Sequence, residues 1–276
     1  AVLDSGADTD HPDLKANLSY NSKETRNNGK DDDGNGYVDD YYGVNLVKGY
    51  GDGEDDNGHG THVAGIIAAK GNNGAGVAGL CWKGYVLAVK FMNSRGTGAT
   101  SDAIEGIDYA VSRGVKIINC SFGSAAASEA LHDAIDYAQS KGVLLVVAAG
   151  NDGEDIDIHP TYPASYTDSN IITVAATTTA DALASFSNFG DTGVDVAAPG
   201  DAIVSTYLGG GYEVLSGTSM AAPMVAGTAA LLRKTYSDAS YSDLRTTLRK
   251  YGISKPSALK DTVVYDGRLN AKKAID

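Results

Sequence analysis

Short β-branched or aliphatic runs alternate along the chain with stretches of helical spacing. Residues 1–4 and 86–90 read as buried strands. Between 101 and 113 apolar residues fall at 103, 104, 107, 110 and 111, which predicts a helix with Ser101 as its N-cap and Gly114 at its end. Residues 115–119 give the next strand. Residues 128–140 give the next helix, with Ala130, Leu131, Ala134, Ile135 and Ala138 on one face and Gly142 beyond it. Uninterrupted apolar strands follow at 143–148 and 171–175. Strands without polar alternation, joined by helices, predict an α/β fold: a mostly parallel sheet with helices on both faces. Ligands of such sheets bind beyond the carboxyl ends of the strands, here near Asp4, residues 119–123 and Gly150-Asn151. From Ser219 a run of small residues, Ala221, Ala222, Ala226, Gly227, Ala229 and Ala230, predicts a buried helix with Pro223 tolerated near its start. Residues 15–57 are polar and rich in Gly and Asp, and read as irregular loop.

At 276 residues and 42% hydrophobic, the chain can bury one large core, and the expectation is a single domain over 1–276. A formal net charge of −13 repels phosphate backbones and argues against nucleic-acid binding. No apolar run reaches membrane-spanning length, and no secretory leader pattern is present. The chain opens inside a strand pattern, so upstream sequence is expected to be missing. Cys81 and Cys120 leave open one disulfide or two buried thiols, and make no disulfide framework.

The chemistry lies in four short motifs. Ala1-Val2-Leu3-Asp4-Ser5-Gly6 ends a buried strand on a carboxylate. His59-Gly60-Thr61-His62-Val63-Ala64-Gly65 starts a small-residue helix on a histidine. Ala148-Ala149-Gly150-Asn151 places a carboxamide just past a strand. Gly217-Thr218-Ser219-Met220-Ala221-Ala222-Pro223 places a serine at a helix N-terminus. A serine hydroxyl is a weak nucleophile and needs a general base, and the base needs a buried carboxylate to fix its tautomer. Unpaired N–H groups at a helix start can receive an oxyanion. Ser219 alone could equally be a helix cap.

In this order, together with His11-Pro12-Asp13-Leu14, Tyr162-Pro163-Ala164 and Ala197-Ala198-Pro199-Gly200, the motifs resemble those of the subtilases, the subtilisin-like serine endopeptidases. The resemblance runs from residue 1 to about 232. It implies the subtilisin-like three-layer fold, with Ser219 as nucleophile, His59 as general base, Asp4 as its orienting carboxylate and Asn151 as an oxyanion donor. It implies extended polypeptide substrates bound along Gly96, Thr97, Gly98 and Ser121, Phe122, Gly123. The primary pocket would have walls at 121–123 and at Ala148, Ala149 and Gly150, with Thr161 near its floor. Those segments carry no charge, so apolar or uncharged residues are expected before the scissile bond. Asp152, Glu154, Asp155 and Asp157 could add tolerance for basic ones. The resemblance also implies a monomeric, secreted or cell-surface enzyme made with an inhibitory propeptide. His62 reads as a satisfied buried histidine. His11, His132 and His159 read as surface or turn residues.

Asp31, Asp33 and Asn35 alternate around Gly34 and Gly36, the spacing by which a loop wraps a hard cation such as calcium. Position twelve of this loop is Tyr42 rather than Glu, so Asp39 or Asp40 is expected to close the site; the candidate ligands are Asp31, Asp33, Asn35, the Tyr37 carbonyl and Asp40. By resemblance a second calcium would take Asn73, the carbonyls of Gly71, Ala75 and Val77, and the Asp13 carboxylate. The family's additional ligand near the N-terminus is absent from this chain. The stretch 52–56 is acidic enough to suggest a further ion. Two other readings compete: a catalytically silent protein of the same fold, and a calcium-binding structural module that leaves the four motifs unexplained.

Overall fold

The computed structural model describes residues 1–276. The chain divides into two compact units, 1–114 with 205–213, and 115–204 with 214–276. The strands are mostly parallel and lie with helices, as the apolar pattern predicts.

In the first unit β1 (Val2–Asp4), β2 (Val44–Asn45), α1 (His59–Ala68), β3 (Ala88–Lys90) and α2 (Thr100–Ser112) follow in chain order. β3 lies between β1 and β2, parallel to both, with Asp4 in register with Lys90 and Asn45 also against Lys90. Most of residues 15–57 is turn and bend, as expected, with β2 and one short helical turn inside it. α2 starts one residue before Ser101, with Ala99 at its cap and no side-chain cap bond. The Ser101 hydroxyl donates to Asp102 at 3.1 Å, so it does not cap the backbone. Gly114 ends the helix with φ +75°, the left-handed conformation that glycine adopts without strain.

The second unit carries β4 (Ile117–Cys120), α3 (Glu129–Ser140), β5 (Leu144–Ala148), β6 (Ile171–Thr177) and β7 (Val196–Pro199). After the hairpin of β8 (Ile203–Tyr207) and β9 (Gly211–Leu215), of which 205–213 belong to the first unit, come α4 (Thr218–Thr235), α5 (Tyr241–Thr246), β10 (Ile253–Ser254), β11 (Arg268–Leu269) and α6 (Ala271–Ile275). β4 through β7 are parallel neighbours in chain order, and β11 adds parallel to β7. β5 and β6 are buried at every residue, which fits strands covered on both faces. α3 begins as the sequence predicts, Ser128 Oγ accepting from Leu131 N. α4 packs across β4, β5, β6 and β7 on Ala221, Ala222, Val225, Ala226 and Ala229, all buried. Both cysteines are buried, Cys120 completely.

Small residues fix how closely α1 approaches β1. A Cβ on Gly60 would stand 2.2 Å from the carbonyl oxygen of Gly6, and one on Gly65 would meet Thr206 Oγ1 at 2.1 Å. Thr206 and Ser205 use their hydroxyls to donate to the carbonyls of Thr61 and His62. Gly60→Ala forces backbone apart and is expected to cost about 3 kcal/mol, the upper end of overpacking costs. Melting should read this as a Tm lower by roughly 6–12 °C; an unchanged Tm would contradict the contact.

Candidate active site

Asp4 closes β1 with its side chain wholly buried. Such a carboxylate is costly unless hydrogen-bonded. It accepts from the Ser5 backbone at 2.7 Å and from His59 Nδ1 at 2.8 Å to Oδ1 and 3.0 Å to Oδ2. That pairing puts the proton on Nδ1 and leaves Nε2 with a bare lone pair. Burial pushes the His59 pKa down, but the charge and hydrogen bond of Asp4 outweigh it, and the net shift is upward.

His59 is the first residue of α1, after Gly58 with φ +104°. The turn is built by Asp55. Its Oδ1 accepts from the backbones of Asn57 and Gly58, and its Oδ2 from the backbone and hydroxyl of Thr61. Burial raises the Asp55 carboxyl, yet these hydrogen bonds hold it below its ordinary range. Ser5 Oγ accepts from Gly60 N at 2.8 Å and ties the helix start to β1. Lys90, 1% exposed, donates to the carbonyls of Ser5 and Met92 and to Asp56. Asp52 is held by Arg26 and the Tyr42 backbone. The acids at 52, 55 and 56 therefore serve as internal partners, which corrects the expectation of an ion in that stretch. The spacing of Asp55 from Thr61 was the available signal, hidden by the surrounding acids.

Ser219 is the second residue of α4, behind Gly217. Its Oγ lies 3.4 Å from the Ser121 carbonyl. Pro223 is the sixth residue of the helix, not at its first turn as expected from the sequence. It has no N–H, so the Ser219 carbonyl four residues back loses its helical donor. Ser121 Oγ supplies a replacement at 3.0 Å, and Asn119 Nδ2 donates to Ser121 Oγ at 2.9 Å. Asn151 Oδ1 accepts from Thr218 N and from the Thr218 hydroxyl at 2.8 and 3.0 Å. With the oxygen engaged, Nδ2 remains as the free end of the carboxamide. A Cβ on Gly217 would stand 3.6 Å from both Asn151 Nδ2 and Ser219 N. The glycine therefore leaves open the space between two N–H donors. Asn188, which the sequence reading passed over, fixes the loop after β5: its Nδ2 donates to Ala149 O, and its Oδ1 accepts from Asp152 N and Glu154 N.

Gly123 and Thr161 line one cavity of about 580 Å³, with Ser124, Ala125, Asp152, Glu154, Ile158, His159 and Pro160. Ala148, Ala149 and Gly150 are not in its lining: Ala148 and Ala149 are buried at the end of β5. Ser121 and Phe122 are not in the lining either, and two carboxylates, Asp152 and Glu154, are. Gly96, Thr97 and Gly98 form an exposed turn held by Asn93, with Gly98 bridged to Met92.

His62 is buried and its Nε2 donates to the Glu213 carbonyl at 3.1 Å. His11, expected at the surface, is fully buried: Nε2 donates to Gly211 O, and Nδ1 accepts from Asp13 N.

In the acidic loop, oxygens of Asp31 and Asp33 converge with one of Glu24, all within 4.8 Å of one another. Glu24 is 5% exposed, and its Oε2 is buried with no hydrogen-bond partner. Burial is the main cause raising its carboxyl above the usual range. Asp40, expected to close the site, is instead buried against Arg113, the Tyr109 hydroxyl and Asn21. Asp39 accepts from the backbones of Asn28 and Gly29. Asn35 points Nδ2 at Asp40 and accepts from the Tyr37 backbone. The third carboxylate beside Asp31 and Asp33 is therefore that of Glu24, seven residues before the motif, where sequence spacing gives no signal. At the second predicted calcium loop the donor set does not fit. Asp13 already accepts from Asn73 Nδ2, Val77 N and the Tyr212 hydroxyl, at 2.5, 3.0 and 2.9 Å.

In solution the His59 imidazole should titrate above its ordinary pKa of about 6.5. The sign follows from linkage: the stability gained from protonated His59 is full below that ordinary value and is lost as pH rises through the raised one. In Asp4→Asn the charge and hydrogen bond of Asp4 are lost and only the Asp55 charge still opposes burial, so the NMR midpoint should fall below that of the wild type. A midpoint that does not move would show that Asp4 does not set it.

The subtilase family model matches residues 1–260. The chain is 39% identical over 277 residues to "Thermitase" of Thermoactinomyces vulgaris, covering all of this chain and 87% of that one. It is 44% identical over 232 residues to the "Thermophilic serine proteinase" of Bacillus sp. strain AK1, covering 84% and 51% respectively. "Subtilisin-like protease 1" of Plasmodium falciparum is 37% identical over 294 residues, and there the chain spans 43% of the relative's length. Among solved structures, a cold adapted subtilisin-like serine proteinase superposes with a TM-score of 0.77 at 31% identity, covering 96% of this chain and 87% of that one. A protease of Pseudoalteromonas arctica PAMC 21717 superposes with a TM-score of 0.83 at 29% identity, covering 99% and 88%. With the fold, the motifs and these matches in agreement, the chain belongs to the subtilase family.

Proposed function

We propose that this chain is the catalytic domain of a serine endopeptidase that cleaves extended polypeptides through an acyl-enzyme. The observation that carries the reading is the buried Asp4 carboxylate bonded to His59 Nδ1. In that state the imidazole presents Nε2 as a general base for the Ser219 hydroxyl, and Asp4 stabilises the cation formed when it takes the proton. The proton then passes to the leaving amine. Ser219 N and Asn151 Nδ2 receive the oxyanion of the tetrahedral intermediate. Water repeats the sequence to release the acid. Gly96 to Gly98 and Ser121 to Gly123 pair with the substrate main chain. The cavity at Gly123 and Thr161 takes the side chain before the scissile bond, and Asp152 and Glu154 extend its range from uncharged to basic residues.

We place the protein outside the cell. One relative is named "Minor extracellular protease Epr" of Bacillus subtilis, at 41% identity over 80% of this chain and 33% of its own. No helix is long and apolar enough to cross a membrane. A propeptide partner and a monomeric state belong to the same reading.

Calcium fits the acidic loop through Glu24, Asp31 and Asp33. An orphaned buried carboxylate oxygen beside two more carboxylates is the chemistry of a hard-cation site. When bound, calcium would supply charge balance and rigidity rather than a catalytic step.

A fluorophosphonate should label the folded protein covalently, and Ser219→Ala should abolish the labelling. Absence of label on folded, calcium-supplied wild type would sink the enzyme reading. Separately, chelator should lower Tm by several degrees, and Glu24→Gln should remove most of that difference. Equal melting with and without chelator would exclude the calcium site while leaving the catalytic reading untouched.

A further inference from the structure

A second group of metal-ligating side chains stands apart from the acidic loop. His132 and Asp136 lie four residues apart on α3, so they share one helix face. Asp168, from the turn before β6, reaches the same point. One ligand atom from each of the three lies within 4.8 Å of the others. His132 Nε2 is 3.0 Å from Asp168 Oδ2 and 3.2 Å from Oδ1. The Asp136 carboxyl is within hydrogen-bonding reach of Asp168.

Three features make this more than a surface ion pair. The His132 ring is stacked on Tyr166 at 4.7 Å and 7°, which fixes the direction of Nε2. Tyr166 is itself held by both backbone groups of Ser128, its hydroxyl donating to Ser128 O and accepting from Ser128 N. The Asp168 side chain is only 5% exposed although it faces a second carboxylate, and two carboxylates against one imidazole leave the cluster short of positive charge. The His132 side chain is 44% exposed, so water can complete a coordination shell.

We propose that His132, Asp136 and Asp168 bind a borderline divalent cation of the zinc, cobalt or nickel type. One imidazole nitrogen selects against calcium and magnesium, which prefer all-oxygen shells. Ligand atoms about 2.1 Å from a tetrahedral zinc stand about 3.4 Å apart, a few tenths more than the present nitrogen–oxygen separations. The site is structural. It fastens α3 to residues 166–168, and through the Tyr162–Tyr166 ring contact it steadies the segment that presents Thr161 to the cavity.

The test is titration of the calcium-loaded protein with zinc chloride at pH 7.5, after fluorophosphonate treatment has blocked Ser219. Wild type should bind one zinc whose affinity falls at least tenfold in His132→Ala and in Asp168→Asn. Zinc should raise the Tm of wild type and not that of either variant. Crystals soaked in zinc should show an anomalous peak between the three side chains. Should a variant fail to fold, Asp136→Asn, at an exposed helix position, carries the same comparison. Zinc binding that is unchanged in these variants, or an absence of zinc at the cluster, would overturn the proposal and leave an ordinary His132–Asp168 ion pair.

Discussion

A carboxylate with no exposed surface must be paired, and Asp4 meets that requirement with the Ser5 backbone and His59. Much of the first unit follows from this. The pairing needs α1 to start at a fixed place beside β1, and that place is set by Gly60 lying against Gly6 and by Ser5 Oγ on Gly60 N. It also needs the turn before α1 to hold its shape, which Asp55 does with four hydrogen bonds. Lys90 then fastens the strand end from below, through Ser5 O and Met92 O. In the proposed mechanism the orienting carboxylate works only if the elements around it do not shift, because a misplacement of the order of 1 Å is costly to catalysis.

The second unit solves a related problem at a helix start. The nucleophile proposed at this helix N-terminus gains unpaired N–H groups, but the following turns must stay regular. Pro223 removes one donor and exposes the Ser219 carbonyl. Ser121, at the end of β4, restores it, and Asn119 orients Ser121. The backbone of the serine is thus held by the sheet as well as by its own helix. Asn151 is held in the same way, its oxygen on Thr218, so that the orientation of its amide does not depend on a bound ligand.

The sheet, its parallel order and the helix positions were legible because strands 143–148 and 171–175 are apolar without alternation, which only burial on both faces explains. The Asp4, His59, Asn151 and Ser219 motifs were legible because each combines a reactive side chain with small neighbours at an element boundary. What escaped detection depends on long-range partners. Glu24 looks like any loop acid until folding buries it beside Asp31 and Asp33. Asp40 fits an ion-binding spacing, but Arg113 and Tyr109 on α2 claim it. Asn188 carries no local pattern, although it holds the loop of Asn151. Asp13 matches the family's calcium loop by position, yet Tyr212, some two hundred residues later, supplies a hydroxyl to its carboxylate.

The acidic character of the chain is therefore not one property. Asp13 and Asp55 are buried carboxylates whose pKa is depressed by hydrogen bonds that outweigh desolvation. Their contribution to stability is present above the unfolded pKa of about 3.9 and is lost as pH falls through the lower folded value. Glu24 has the opposite sign: burial raises its carboxyl, so its ionised form opposes folding at neutral pH. It does so inside a loop where Asp31 is held below its ordinary range by the backbones of Gly36, Gly34 and Asn35. An anion disfavoured by its own site, beside the Asp31 carboxylate held ionised, is where a divalent cation recovers the most. Asp40 and Asp55 already have their partners from the chain, and they serve architecture rather than a demand for metal.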